Sequence, residues 1–112
     1  MQVRRCARRV DMIRERDIEK AFSREARKRG VLCWKFVSPG VSGVPDRILV
    51  GDDASVVFIE FKRPGEKLRP LQLRICQKLV DRGLSVIVID SLDAVSRFWK
   101  LQDLLSEGAE SE

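Results

Sequence analysis

The sequence predicts one α/β domain, a mixed sheet flanked by helices with the element order α-β-β-β-α-β-α. Three observations predict it. The chain has 112 residues, 44% hydrophobic and 35% charged, which suits one compact core beneath a heavily charged surface. Helical apolar spacing near both ends brackets β-branched runs in the middle. Two of those runs, "DRILV" and "SVVFIEFK", are separated only by "GDDA" and read as an antiparallel hairpin.

Each element has its own signal. Residues 1–15 read as a basic, loosely ordered arm, and residues 16–105 as the folded domain. Asp17 suits an N-cap for "IEKAFSREARKR", a helix closed by Gly30 with Ile18, Ala21, Phe22 and Ala26 as its apolar stripe. "VLCWKFV" is β-branched and aromatic, hence a strand. "SPGVSGVP" is a loop rich in glycine and proline. After the hairpin, "RPGEKLR" is a basic connector, and Pro70 fits the first turn of the helix "PLQLRICQKLVDR". Gln72 shares a side of that helix with Cys76 and Leu79. "LSVIVID" is a continuous apolar run and reads as a buried strand. Ser91 caps a final helix, "LDAVSRFWKLQDLL", and residues 106–112 read as an acidic flexible tail.

Composition narrows the chemistry. The chain has no histidine, so Ser-His-Asp and Cys-His catalysis are excluded. Cys6, Cys33 and Cys76 are widely spaced, which argues against structural zinc and fits a reducing cytoplasm. No apolar run approaches the roughly 20 residues that span a bilayer, so no membrane role is expected. Residues 1–29 carry eleven Lys or Arg against five Asp or Glu, within a net charge of +5 for the chain. A polyanion such as nucleic acid is the partner that this asymmetry points to. Trp34 and Trp99 read as core or interface residues.

One strand poses a specific problem. In "SVVFIEFK", Val56, Phe58, Glu60 and Lys62 share a face, so an apolar strand ends by placing a carboxylate and an ammonium on one side. Charges in such a strand need a partner, a metal or water. If the hairpin closes at "GDDA", Asp46 comes to the same end of the sheet as Glu60 and Lys62. Two carboxylates and a lysine then converge, an oxygen donor set of the kind that holds Mg²⁺ or Mn²⁺. A lysine beside such a site can orient water or take its proton.

Pro45-Asp46 followed by Glu60-Phe61-Lys62 resembles the pattern of the PD-(D/E)xK nuclease superfamily, and the element order resembles the restriction-endonuclease-like core. "KFVSPGVSGVPDRILV", "VVFIEFKRPGEKLRPLQ" and "GLSVIVIDS" are more closely similar to the virus-type replication-repair nuclease (VRR-NUC) domain, from about Asp17 to about Trp99. The resemblance implies that Asp46, Glu60 and the Phe61 backbone carbonyl coordinate the metal, and that Lys62 orients or activates water. It assigns Glu19 to the family's helix carboxylate, with a possible second metal, and Gln72 to positioning of water, phosphate or a ligand. Lys35 and Ser38 flank the loop, and Arg63, Lys67 and Arg69 surround the exit from the strand. These five read as phosphate contacts, which set affinity more than sequence choice.

The expectation is therefore a Mg²⁺- or Mn²⁺-dependent, structure-selective DNA endonuclease. The resemblance extends this to homodimers acting on branched DNA such as Holliday junctions in a bacterial or phage-infected cytosol. The apolar residues of "SVVFIEF" and of the last helix (Val95, Phe98, Trp99 and Leu101) offer material for the interface. A flap nuclease or exonuclease on the same fold is the rival enzyme. A non-catalytic DNA-binding module, or a subunit recruited by a helicase or replication protein, is the rival from another class. The joint presence of Asp46, Glu60 and Lys62 argues against the latter.

Overall fold

The computed structural model describes residues 13–110. Three helices and four strands follow in the order α1 (Glu15–Lys28), β1 (Leu32–Lys35), β2 (Arg47–Val50), β3 (Val56–Phe61), α2 (Pro70–Asp81), β4 (Ser85–Ile89) and α3 (Leu92–Glu110). The strands form one mixed sheet in the spatial order β1-β2-β3-β4. The first three are antiparallel, with Trp34 opposite Ile48 and Ile48 opposite Phe58. β4 then pairs parallel to β3, with Glu60 opposite Val88. α2 is the crossover that a parallel pair requires.

Strand alternation sorts the side chains into two faces. Leu49, Ile59, Phe61 and Ile89 point to one face and join Ile18, Phe22 and Ala26 of α1 and Val95, Phe98 and Trp99 of α3 in the core. Phe22 is at its centre. Its ring lies 5.5 Å from Phe61, 5.1 Å from Phe98 and 5.0 Å from Trp99, in tilted or edge-on geometry that favours aromatic pairs. Truncating it to alanine would cost about 3–5 kcal/mol. The opposite face carries Trp34, Ile48, Phe58, Glu60 and Val86, and α2 packs over its β4 side.

The hairpin and the element order are as the sequence predicts. Several details differ, each for a physical reason. α1 begins earlier than an Asp17 cap requires: Arg14 is the N-cap, and Asp17 serves from within the helix by accepting the Arg14 N–H at 3.0 Å. The basic arm as far as residue 12, with Cys6, lies outside the described residues. β4 is an edge strand with Val88 41% exposed, not a buried one, because no further strand follows it in the sheet. α3 continues through Glu110, so residues 106–110 extend a helix where a flexible tail is expected. Trp99 is core, but Trp34 is 60% exposed. No described helix is long and apolar enough to cross a membrane.

Candidate active site

The loop between β1 and β2 delivers the first acidic residue. Gly43 adopts φ +88°, a conformation L side chains rarely take, and an added Cβ would meet Leu71 Cγ at 3.0 Å and the Leu71 carbonyl at 3.2 Å. The loop is thus pressed against the first turn of α2. Pro45 is fully buried beside it. At the loop's end the Phe36 N–H donates to the Asp46 carbonyl at 2.9 Å, extending the β1–β2 ladder by one bond. The Asp46 carboxylate then accepts the Phe61 N–H at 2.8 Å, so it sits directly across from the end of β3.

Glu60 and Lys62 lie at that strand end and are 2% and 4% exposed. Lys62 Nζ is 3.8 Å from Glu60 Oε2, an ion pair too long for a hydrogen bond. Gln72 donates from Nε2 to Glu60 Oε2 at 2.9 Å, and its Oε1 accepts the Arg69 N–H, also at 2.9 Å. The amide's orientation is forced, because a backbone N–H can only donate. One side chain therefore caps the start of α2 and holds the buried carboxylate.

The electrostatics show convergence. Burial raises the Glu60 pKa to about 7, the neighbouring Asp46 charge pushes the same way, and Lys62 opposes both. Asp46 is also raised, chiefly by burial, against the stabilising bond from Phe61 N–H and with a further push from Glu19. Two carboxylates that resist being charged together, with one lysine between them, fit a divalent cation with oxygen ligands. Among the described residues no three His, Cys, Asp or Glu side chains cluster tightly enough to cage an ion. The donor set of Asp46, Glu60 and backbone oxygen is the hard-oxygen chemistry that magnesium and manganese take.

Asp46, Glu60, Lys62 and Gln72 are thus brought together. Glu19 is placed differently. Its carboxylate accepts Arg47 Nε at 2.7 Å, and Arg47 also donates to the Cys33 carbonyl at 3.0 Å, so it is held to β2 and its neighbour β1. One turn earlier, Glu15 stands close enough for its charge to act on Lys62, Asp46 and Glu60. Its pKa is raised, first by burial and then by the neighbouring Glu66 in the loop after β3. Glu19 also acts on Asp46, so α1 turns two carboxylates toward the cluster, Glu19 as the sequence predicts and Glu15 in addition. Its spacing of four from Glu19 is the sequence signal, since the two share a helix face.

The remaining residues lie nearer the surface. Lys35, Arg63, Lys67 and Arg69 are exposed and Ser38 is half-buried. Arg63 is only loosely paired, at 3.4 Å from Glu66. Arg63 lies two residues beyond β3 and Arg69 is the N-cap of α2 beside Gln72, so these two flank the cluster.

The family model of the VRR-NUC domain matches residues 5–93. A relative described as "Putative nuclease p44", from Acyrthosiphon pisum secondary endosymbiont phage 1, is 48% identical over 85 residues, covering 76% of this chain and 91% of that protein. A solved structure titled "VRR_NUC domain" superposes with a TM-score of 0.73 at 28% identity, over 77% of this chain and 94% of the other. The matched span contains the loop, the hairpin, Gln72 and β4, which together build the cluster, and the chain belongs to the VRR-NUC family of nuclease domains.

Proposed function

We propose that this chain is a divalent-metal-dependent DNA endonuclease that cuts branched DNA as a homodimer. The observation that carries the reading is the pair Glu60 and Lys62, almost wholly buried at a strand end, facing Asp46 and held by Gln72. Burying such a pair costs several kcal/mol per ion before compensation, a cost that structure alone does not require. Asp46, Glu60 and the Phe61 carbonyl would hold Mg²⁺ or Mn²⁺, with Glu19 and Glu15 of α1 as the carboxylates that would support a second ion. The metal, when bound, would supply Lewis-acid polarisation of the scissile phosphate and a more acidic water.

The chain's own residues do the rest. Lys62 faces the attacking water and places a positive charge where negative charge develops on the phosphoryl oxygens. Gln72 keeps the Glu60 carboxylate in one orientation. Lys35, Ser38, Arg63, Lys67 and Arg69 contact flanking phosphates and hold the strand in register. Water attacks phosphorus in line, the bond to the 3′ oxygen breaks, and the products are a 5′-phosphate and a 3′-hydroxyl.

One such centre cuts one strand, and paired cuts in a four-way junction call for a second centre related by two-fold symmetry. Leu101, Leu104 and Leu105 on α3 are 54%, 63% and 61% exposed and recur at helical spacing, which supports α3 as the dimer contact. The test is a panel of end-labelled duplex, flap, splayed-arm and four-way-junction DNA with Mg²⁺ or Mn²⁺, alongside light scattering. The expected result is preferential, paired cutting of the junction by a species of twice 12.8 kDa. A monomer that nicks flaps and never makes paired cuts would replace the junction reading with a flap nuclease.

A further inference from the structure

The sheet face that carries Glu60 also carries an aromatic ring that the fold leaves open. Trp34 on β1 is 60% exposed, whereas Phe22, Phe58, Phe61, Phe98 and Trp99 are all at or below 8%. Leu32, two residues away on the same face of β1, is also exposed, so Trp34 belongs to an apolar strip and is not a lone surface residue. The register gives its position. Trp34 lies opposite Ile48, two residues along β2 from Asp46, and Ile48 lies opposite Phe58, two residues along β3 from Glu60. Strand geometry then puts the Trp34 backbone about 8 Å from that of Asp46 and about 12 Å from that of Glu60. That span corresponds to roughly three stacked base steps at about 3.4 Å each.

We propose that Trp34 is a stacking platform for an unpaired base close to the scissile phosphate, and that it biases the enzyme toward DNA with unpaired or splayed bases. The inference rests on the nuclease reading above and names the feature of the substrate that the site selects. Charge favours a nucleic acid as the occupant. Arg69 at the start of α2 and Arg63 just beyond β3 are exposed beside the neighbouring cluster, and the chain carries a net +5. A base within a duplex has both ring faces occupied, whereas an unpaired base has a free face to offer an aromatic ring. The selection is thus for strand structure, with little dependence on base identity.

The chain provides its own reporter. It has two tryptophans and no tyrosine, and Trp99 is 3% exposed in the core. Intrinsic fluorescence changes on adding DNA therefore report on Trp34, and Trp34→Phe provides the background. The experiment titrates the full chain, with Ca²⁺ in place of the catalytic metal, against single-stranded dT oligonucleotide, paired duplex and four-way junction. Anisotropy of labelled DNA gives affinity in parallel.

The expected result is strong quenching by dT oligonucleotide and junction, weak quenching by duplex, and loss of the signal in Trp34→Phe. Trp34→Ala should weaken binding of unpaired DNA on the order of tenfold to a hundredfold more than binding of duplex, with Trp34→Phe recovering much of the loss. Saturating DNA binding with unchanged fluorescence would overturn the platform and leave the nuclease reading intact. So would an equal loss for duplex and unpaired DNA, or a halved mass of Trp34→Ala by light scattering, which would assign the face to a second copy of the chain. No binding to any DNA would overturn both readings.

Discussion

Replacing Gln72 with alanine tests the internal wiring of the site without touching a charged group. Two bonds go at once: the donor to Glu60 Oε2 and the acceptor for the Arg69 N–H, each 2.9 Å. The Arg69 N–H is at an exposed helix start, where water can replace the cap at a cost of about 0.5–1 kcal/mol. Glu60 is 2% exposed, so water reaches it poorly, and a bond to a charged group contributes about 1.5–3 kcal/mol. The expected loss at pH 8, without metal, is about 2–3 kcal/mol, or on the order of 10–20 °C in Tm for a domain of this size. At pH 5 the loss should shrink to about 1 kcal/mol. Glu60, with a pKa of about 7, is then protonated in the folded chain and needs its donor less. Urea unfolding of wild type and Gln72→Ala at the two pH values, in EDTA, measures both numbers. Gln72→Glu sharpens the test, because it keeps the Arg69 acceptor and sets a second carboxylate against Glu60. It should be less stable than Gln72→Ala at pH 8 and recover when Mg²⁺ or Mn²⁺ is added. A loss below about 0.5 kcal/mol at pH 8, or one that does not change with pH, would refute the bridge to an ionised Glu60.

Two further outcomes follow from the same geometry. Gly43→Ala puts a Cβ 3.0 Å from Leu71 Cγ in a left-handed conformation, so it should destabilise by about 1–3 kcal/mol and impair cutting, because the loop also carries Asp46; wild-type urea stability would contradict this. The metal-free chain should lose stability as pH rises from about 4.5 to about 7, by up to roughly 3 kcal/mol, because the raised folded pKa of Glu60 means that the folded state binds its proton more tightly than the unfolded state does. A Tm series in EDTA reads this, and added Mg²⁺ or Mn²⁺ should stabilise more at pH 8 than at pH 5.5.

Much of this molecule is legible in its sequence because local signals and the fold agree. The hairpin follows from "GDDA" between two β-branched runs, and its closure is what brings Asp46 to Glu60 and Lys62. Gln72 is legible for a similar reason: Pro70 sets the helix start, and spacing from Cys76 turns Gln72 inward. What escapes sequence reading depends on non-local packing. Glu15 and Glu19 share a helix face, and spacing does not reveal that both act on the cluster or that Arg47 binds Glu19, which the β1–β2–β3 register brings about. Trp34 has the composition signature of a core residue, and alternation assigns it a face. Whether that face is covered depends on α2, which packs against β4 and leaves the β1 side open. The apolar run of β4 reads as buried on both sides because hydropathy does not reveal that a strand is the last in its sheet.

The central claim is that a metal held between Asp46 and Glu60, with Lys62 at the attacking water, cleaves DNA. The most direct measurement follows nicking of labelled DNA by the purified chain with Mg²⁺ or Mn²⁺, with excess EDTA, and by Lys62→Ala, with DNA binding recorded on the same samples. The expected result is cutting with either metal, none in EDTA, and near-complete loss of cutting in Lys62→Ala with binding largely kept, because one buried lysine is a small share of a basic surface but acts on the transition state. Undiminished cutting in EDTA, or equal losses of binding and rate in Lys62→Ala, would contradict it.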